Sequence, residues 1–129
     1  MAGVVVDVPA EGGFATVVAL TDDTTSMYTS VGGGVIGAGE HRRVAEATHR
    51  LLAAVQAQIG MFRSGDDGEF PPTGAVRFHI LTPSGNRGED VPEDCFWGET
   101  PHDLAPVIVA TQDVVTALRE ATPRHPDRR

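Results

Sequence analysis

The apolar positions of this chain change period once, close to residue 40. Before that point they alternate. Over residues 14–21, Phe14, Thr16, Val18 and Leu20 fall on one side and Ala15, Val17 and Ala19 on the other, which predicts a strand. The small residues of the second side predict a close neighbour there. Residues 4–8 are a short valine-rich run closed by Pro9 and read as an edge strand, because proline cannot donate to a ladder. Residues 10–13 read as a turn. Asp22, Asp23 and Thr24 form a tight polar turn, after which Ser26, Tyr28 and Ser30 alternate with Thr25, Met27 and Thr29. Two alternating runs joined by so few residues predict an antiparallel hairpin.

Residues 31–39 are a glycine-rich turn, and from Glu40 to Phe62 the period is that of a helix. Val44, Ala47 or Thr48, Leu51, Val55, Ile59 and Phe62 form one stripe, with Arg42, Arg43, Glu46, Arg50 and Gln56 mostly off it. Gly60 marks the fraying end. Residues 63–74 read as a loop anchored by Phe70. Residues 75–82 predict a second strong strand, with Val76, Phe78 and Ile80 on one face and His79 exposed on the other. A turn at 83–86 and a short returning strand at 87–91 follow. Residues 89–99 read as acidic and irregular. A second helix spans roughly 104–120, with Pro106 in its first turn, where no amide bond is lost, and Val107, Thr111, Val114 or Val115 and Leu118 as its stripe. Residues 123–129 read as a disordered tail.

The element order is β-β-β-α-β-β-α over a single α+β domain spanning residues 1–122. Strands and helices do not alternate, so the expected architecture is a mainly antiparallel sheet of four to five strands with two amphipathic helices, not a doubly wound parallel sheet. No repeat or linker divides the chain.

Composition narrows the functional classes. The net charge of −8 disfavours nucleic acid and anionic membrane surfaces, which are bound through basic residues. All ten basic residues are arginine, which excludes a Schiff-base lysine and a phosphate-binding P-loop lysine. Cys95 is the only cysteine, so no internal disulfide forms, and acids and aromatics around it point to a buried, unreactive thiol. No apolar run approaches the ~18 residues of a membrane span. The first residues lack the basic and apolar regions of a signal peptide, and the cytoplasm is the expected compartment.

The glycine turn matches G-x-G-x-x-G at Gly32, Gly34 and Gly37. A dinucleotide site also needs a buried parallel strand before the turn and another soon after the helix, and neither is expected here. Anion binding at the helix start is a second reading, with Ser30, Gly32, Gly33, Gly34, Gly37, His41 and Arg42 as its residues. Glu40 in the first turn would oppose it. The structural reading is that glycine lets a strand reverse tightly into a helix packed on its own sheet.

The five histidines lack metal-ligand spacing, Asp66 to Glu69 is only a fragment of a calcium loop, and no serine sits in a nucleophile elbow. No cofactor is implied. The aromatic pair Phe96-Trp97 lies among acids that could meet a basic partner surface. It either pins its loop to the core or anchors an interface.

The element order over residues 4–121 resembles the profilin-like group, particularly the roadblock/LC7 modules, which act as regulatory scaffolds and are often dimeric. Those modules normally open with a helix, where this chain opens with a strand. The run from Thr29 to His41 looks like the signature of an uncharacterised bacterial family instead. The functional expectation is a non-catalytic protein-interaction or regulatory module that self-associates, with pairing of the exposed 4–8 edge as one route. The alternative is a small-molecule or anion-binding protein or enzyme built on the glycine turn.

Overall fold

The 14–21 alternation is the clearest in the chain, and it forms β2 (Gly13–Leu20). Its small face packs inward: Val17 and Ala19 are buried while Phe14, Thr16, Val18 and Leu20 are half-exposed. Around it lie β1 (Gly3–Ala10), β3 (Thr25–Thr29) and a two-residue β4 (Gly34–Val35). Then come α1 (Arg42–Ala57), a 3-10 turn (Ile59–Met61), a two-residue β5 (Arg63–Ser64), β6 (Ala75–Leu81), β7 (Arg87–Pro92), α2 (Glu93–Phe96) and α3 (Ala105–Ala121). This computed structural model describes residues 1–10, 13–30, 34–35, 41–65 and 71–121. The expectations for Glu40, Phe70, Asp66 to Glu69 and the tail lie outside the described residues.

The α+β class and the antiparallel sheet are as expected. Among the described residues the sheet has seven strands, where four or five are expected, in the order β4-β3-β2-β1-β6-β7-β5, and every neighbouring pair is antiparallel. The additional strands are the two-residue β4 and β5, too short to leave an alternating pattern. The third helix, α2, replaces the irregular acidic stretch expected at 89–99. Glu93 and Asp94 in its first turn complement the helix dipole. Gly98, at φ +83°, takes the left-handed conformation that ends it.

The edge-strand reading of residues 4–8 is overturned. β1 is central, pairing with β2 from Gly3↔Leu20 to Ala10↔Gly13 and with β6 from Gly3↔Leu81 to Asp7↔Arg77. Pro9 is tolerated because it lies beyond the last β6 pair. Its partner Phe14 turns both backbone groups toward Ser30: the Phe14 carbonyl accepts from the Ser30 N–H at 2.9 Å, and the Phe14 N–H donates to Ser30 Oγ at 2.8 Å. The missing proline N–H therefore faces the β6 side, past the last pair of the β1–β6 ladder.

Register places Val4, Val6, Val17, Ala19, Val76, Phe78, Ile80 and Val91 on one face, all buried. α1 covers that face with Val44, Ala47, Leu51 and Val55, and α3 with Val107, Val114 and Leu118. Thr25 on β3 and Thr48 on α1 share a buried hydrogen bond of 2.9 Å, which fixes the helix across the sheet without leaving a polar atom unpaired. α1 is shorter than the 40–62 pattern. The chain tightens into the 3-10 turn, which still delivers Phe62 to the core, 6.4 Å from the Phe78 ring. Among the described residues, no helix packs on the opposite sheet face.

Candidate functional site

The residues chosen at the glycine turn do not assemble as a site among the described residues. Gly32, Gly33 and Gly37 lie outside them, and Gly34 pairs with Tyr28 in β4. Ser30 is committed to Phe14. His41 precedes α1 with no side-chain cap bond, and Arg42 is exposed. Arg43 beside them pairs with Glu120 of α3 at 2.7 Å. A shallow concavity of about 230 Å³ lies here, lined by His41, Arg42, Arg43, Val44, Ala117 and Glu120. There the Glu120 carboxylate offsets the charge of Arg43.

His79 was expected to be partly exposed and is instead 5% exposed, as is Asp7. Both lie on the sheet face away from the helices. His79 Nε2 is 2.8 Å from Asp7 Oδ2, and the Thr16 hydroxyl donates to Asp7 Oδ1 at 2.7 Å. This Thr16–Asp7–His79 chain joins β2, β1 and β6. The sequence could not place it, because it depends on β1 lying between the other two. Next to it, Arg77 Nε and Nη2 donate to the two carboxylate oxygens of Asp90 at 2.6 and 3.0 Å. This bidentate pair holds the Asp90 carboxyl below its ordinary value of 3.8. With a depressed folded value, the pair stabilises the fold above the unfolded value and loses that contribution as pH falls through the folded one. In an NMR titration Asp90 is expected to protonate below its ordinary value, and in Arg77→Gln to return toward it. An Asp90 titration unchanged by the substitution would rule this cause out.

The other assembled surface is the end of the molecule around α2. Phe96 is buried, packed against Phe78 with ring centroids 6.4 Å apart. Trp97 stands edge-on to it at 5.1 Å and 83°, yet is 53% exposed. The two readings of the aromatic pair therefore separate by residue: Phe96 pins, and Trp97 is presented. Gln112 of α3 donates from Nε2 to the Phe96 carbonyl at 3.0 Å. That bond brings α3 against α2, and Val109, one turn earlier on α3, is 59% exposed. Gln58 donates to the Asp103 carbonyl at 2.8 Å and to Met61 Sδ at 3.4 Å, so the exposed Met61 belongs to the same end.

Charge separates sharply here. Between Arg87 and Arg119 the chain has no basic residue apart from His102, whose Nδ1 accepts the Leu104 N–H at 3.0 Å. The same stretch carries Glu89, Asp90, Glu93, Asp94, Glu99, Asp103 and Asp113, nearly the whole net charge of −8. Glu89 pairs with Arg63 at 3.3 Å and Asp90 with Arg77. The other five make no ion pair among the described residues. Cys95, below them, is buried, and burial together with Asp94 raises its thiol above the ordinary value, which disfavours the nucleophilic thiolate.

Among the described residues, no group of three or more metal-ligating side chains is placed to hold an ion, and no helix is long and apolar enough to cross a membrane. Comparison with protein-family models, curated proteins and solved structures finds no match to this chain.

Proposed function

We propose that this chain is a non-catalytic protein-interaction module that captures a cationic, amphipathic segment of a partner at the α2 end. The observation that carries the proposal is Trp97: a large aromatic packed edge-on against buried Phe96, itself 53% exposed, in a stretch from Glu93 to Asp113 that contains no arginine and five carboxylates. Interface energy concentrates on such preorganised aromatic anchors, and complementary charge around an anchor sets partner choice and encounter rate. Val109 and Met61 are the other large apolar side chains exposed on α3 and on the 3-10 turn.

Trp97 is the sole tryptophan, so its fluorescence reports its own surface. Titration with a helical Leu/Arg peptide is expected to shift the emission to the blue and to weaken with added salt. A Leu/Glu peptide of the same pattern is expected to do neither. By calorimetry, Trp97→Ala should cost the Leu/Arg peptide about 2 kcal/mol of affinity or more, the size of an interface anchor. Equal binding of both peptides, or of neither, would overturn the proposal.

The alternative, an anion or small-molecule site at the glycine turn, has weaker support. Its described residues are split between a strand contact at Ser30 and an exposed helix start, with Glu120 on Arg43, the residue after Arg42.

A further inference from the structure

We infer that a second copy of this chain docks on the sheet face that no described helix covers, face to face, around Tyr28. β1 is internal, so it cannot extend the sheet across a dimer, and among the described residues the sheet edges are β4 and β5, two residues each. Edge pairing over so short a ladder holds little, which leaves the broad face. Register puts Val5, Phe14, Val18, Leu20 and Leu81 on this face, half-buried, and Tyr28 at 42% exposure.

Charge selects the occupant. A two-fold interface sets one surface against itself, so any net charge on it meets its own sign. In a chain of net charge −8, this face sets two arginines, Arg63 and Arg77, against two carboxylates, Asp7 and Asp90, among the described residues. Asp7 lies against His79, and Asp90 against Arg77. The buried polar atoms of Asp7 are hydrogen-bonded within the protomer, so covering them leaves no acceptor stranded. The acidic α2 end has the opposite character and would repel its copy. In extent, five strands at ~4.8 Å spacing with ~3.3 Å rise give roughly 24 by 20 Å, on the order of 500 Å² in projection. Standard interfaces bury ~800 Å² per partner, so micromolar association is the scale expected.

The test is sedimentation velocity of the full chain across the micromolar range. The wild type is expected to shift from monomer to dimer with concentration. Tyr28→Asp and Tyr28→Arg place a like charge against itself and are expected to remain monomeric at every concentration, with unchanged far-UV circular dichroism. Gln56→Asp, exposed on the outer side of α1, adds the same charge elsewhere and is expected to leave the dimer intact. A wild type that stays monomeric overturns the inference. So does a folded Tyr28 variant of either sign that dimerises like wild type. Neither result bears on Trp97, which the peptide titration judges separately.

Discussion

Phe78→Ala is expected to lower the unfolding free energy by about 3–5 kcal/mol, the largest loss available from a single side chain here. Phe78 is fully buried on β6, and its ring lies 6.4 Å from those of both Phe62 and Phe96. It therefore joins three separate pieces of chain: the 3-10 turn after α1, the strand itself, and α2. Truncation leaves a cavity bounded by two rings that cannot both swing inward, because Phe62 is held by its turn and Phe96 by Gln112. Domains of this size are stable by only about 5–15 kcal/mol, so a substantial unfolded population is expected at moderate temperature. Urea unfolding followed by circular dichroism gives the number. Phe78→Leu, which keeps most of the volume, should lose far less. A loss below ~1.5 kcal/mol for Phe78→Ala would mean that the site collapses easily and is not the junction described.

Asp7→Ala is expected to cost about 3 kcal/mol although no helix covers that side of the sheet among the described residues. The carboxylate is 5% exposed and bonds two residues on its two neighbouring strands. Removing it takes from buried His79 its carboxylate contact and from Thr16 its acceptor, and breaking a buried pair on one side costs more than one ordinary bond. Asp7→Asn keeps an acceptor and should cost less. Asp7→Val combined with His79→Leu removes both ends together and should recover part of the loss, so a double-mutant cycle reads the coupling directly. Additive losses would show that Asp7 and His79 do not support each other. Because both members of the pair are buried, these variants are measured for stability before any association assay.

Much of the architecture could be read from side-chain period. Ala15, Val17 and Ala19 announced a closely packed face, and Val107, Thr111, Val114 and Leu118 gave the buried stripe of α3. These signals are local and survive without knowledge of partners. β1 was misread because Pro9 closes a valine run in the way an edge strand would. Centrality is a property of pairing with β6, far along the chain, which local pattern does not encode. The same blindness hid the Asp7–His79 pair: each residue alone looks like an outward-facing polar position of a half-exposed strand. α2 was lost because four residues are barely a helical turn and show no period. At the candidate site the aromatic pair was found, but its division of labour was not. One residue buried and the next exposed requires the helix end at Gly98, which sequence marks only weakly.

The placement of β1 also bears on how the chain reaches this structure. β1, β2 and β3 are consecutive and can zip as a meander while the rest of the chain is still unformed. One side of β1 must then wait: its bonds to β6 include Asp7 to His79, 72 positions apart. Closing that loop costs entropy before any contact repays it, so the step falls late and slows the whole reaction. Until then a valine-rich strand shows unpaired amides and carbonyls along one side. β1 is thus made well before the partner that completes it, and until β6 pairs it needs protection from neighbouring chains.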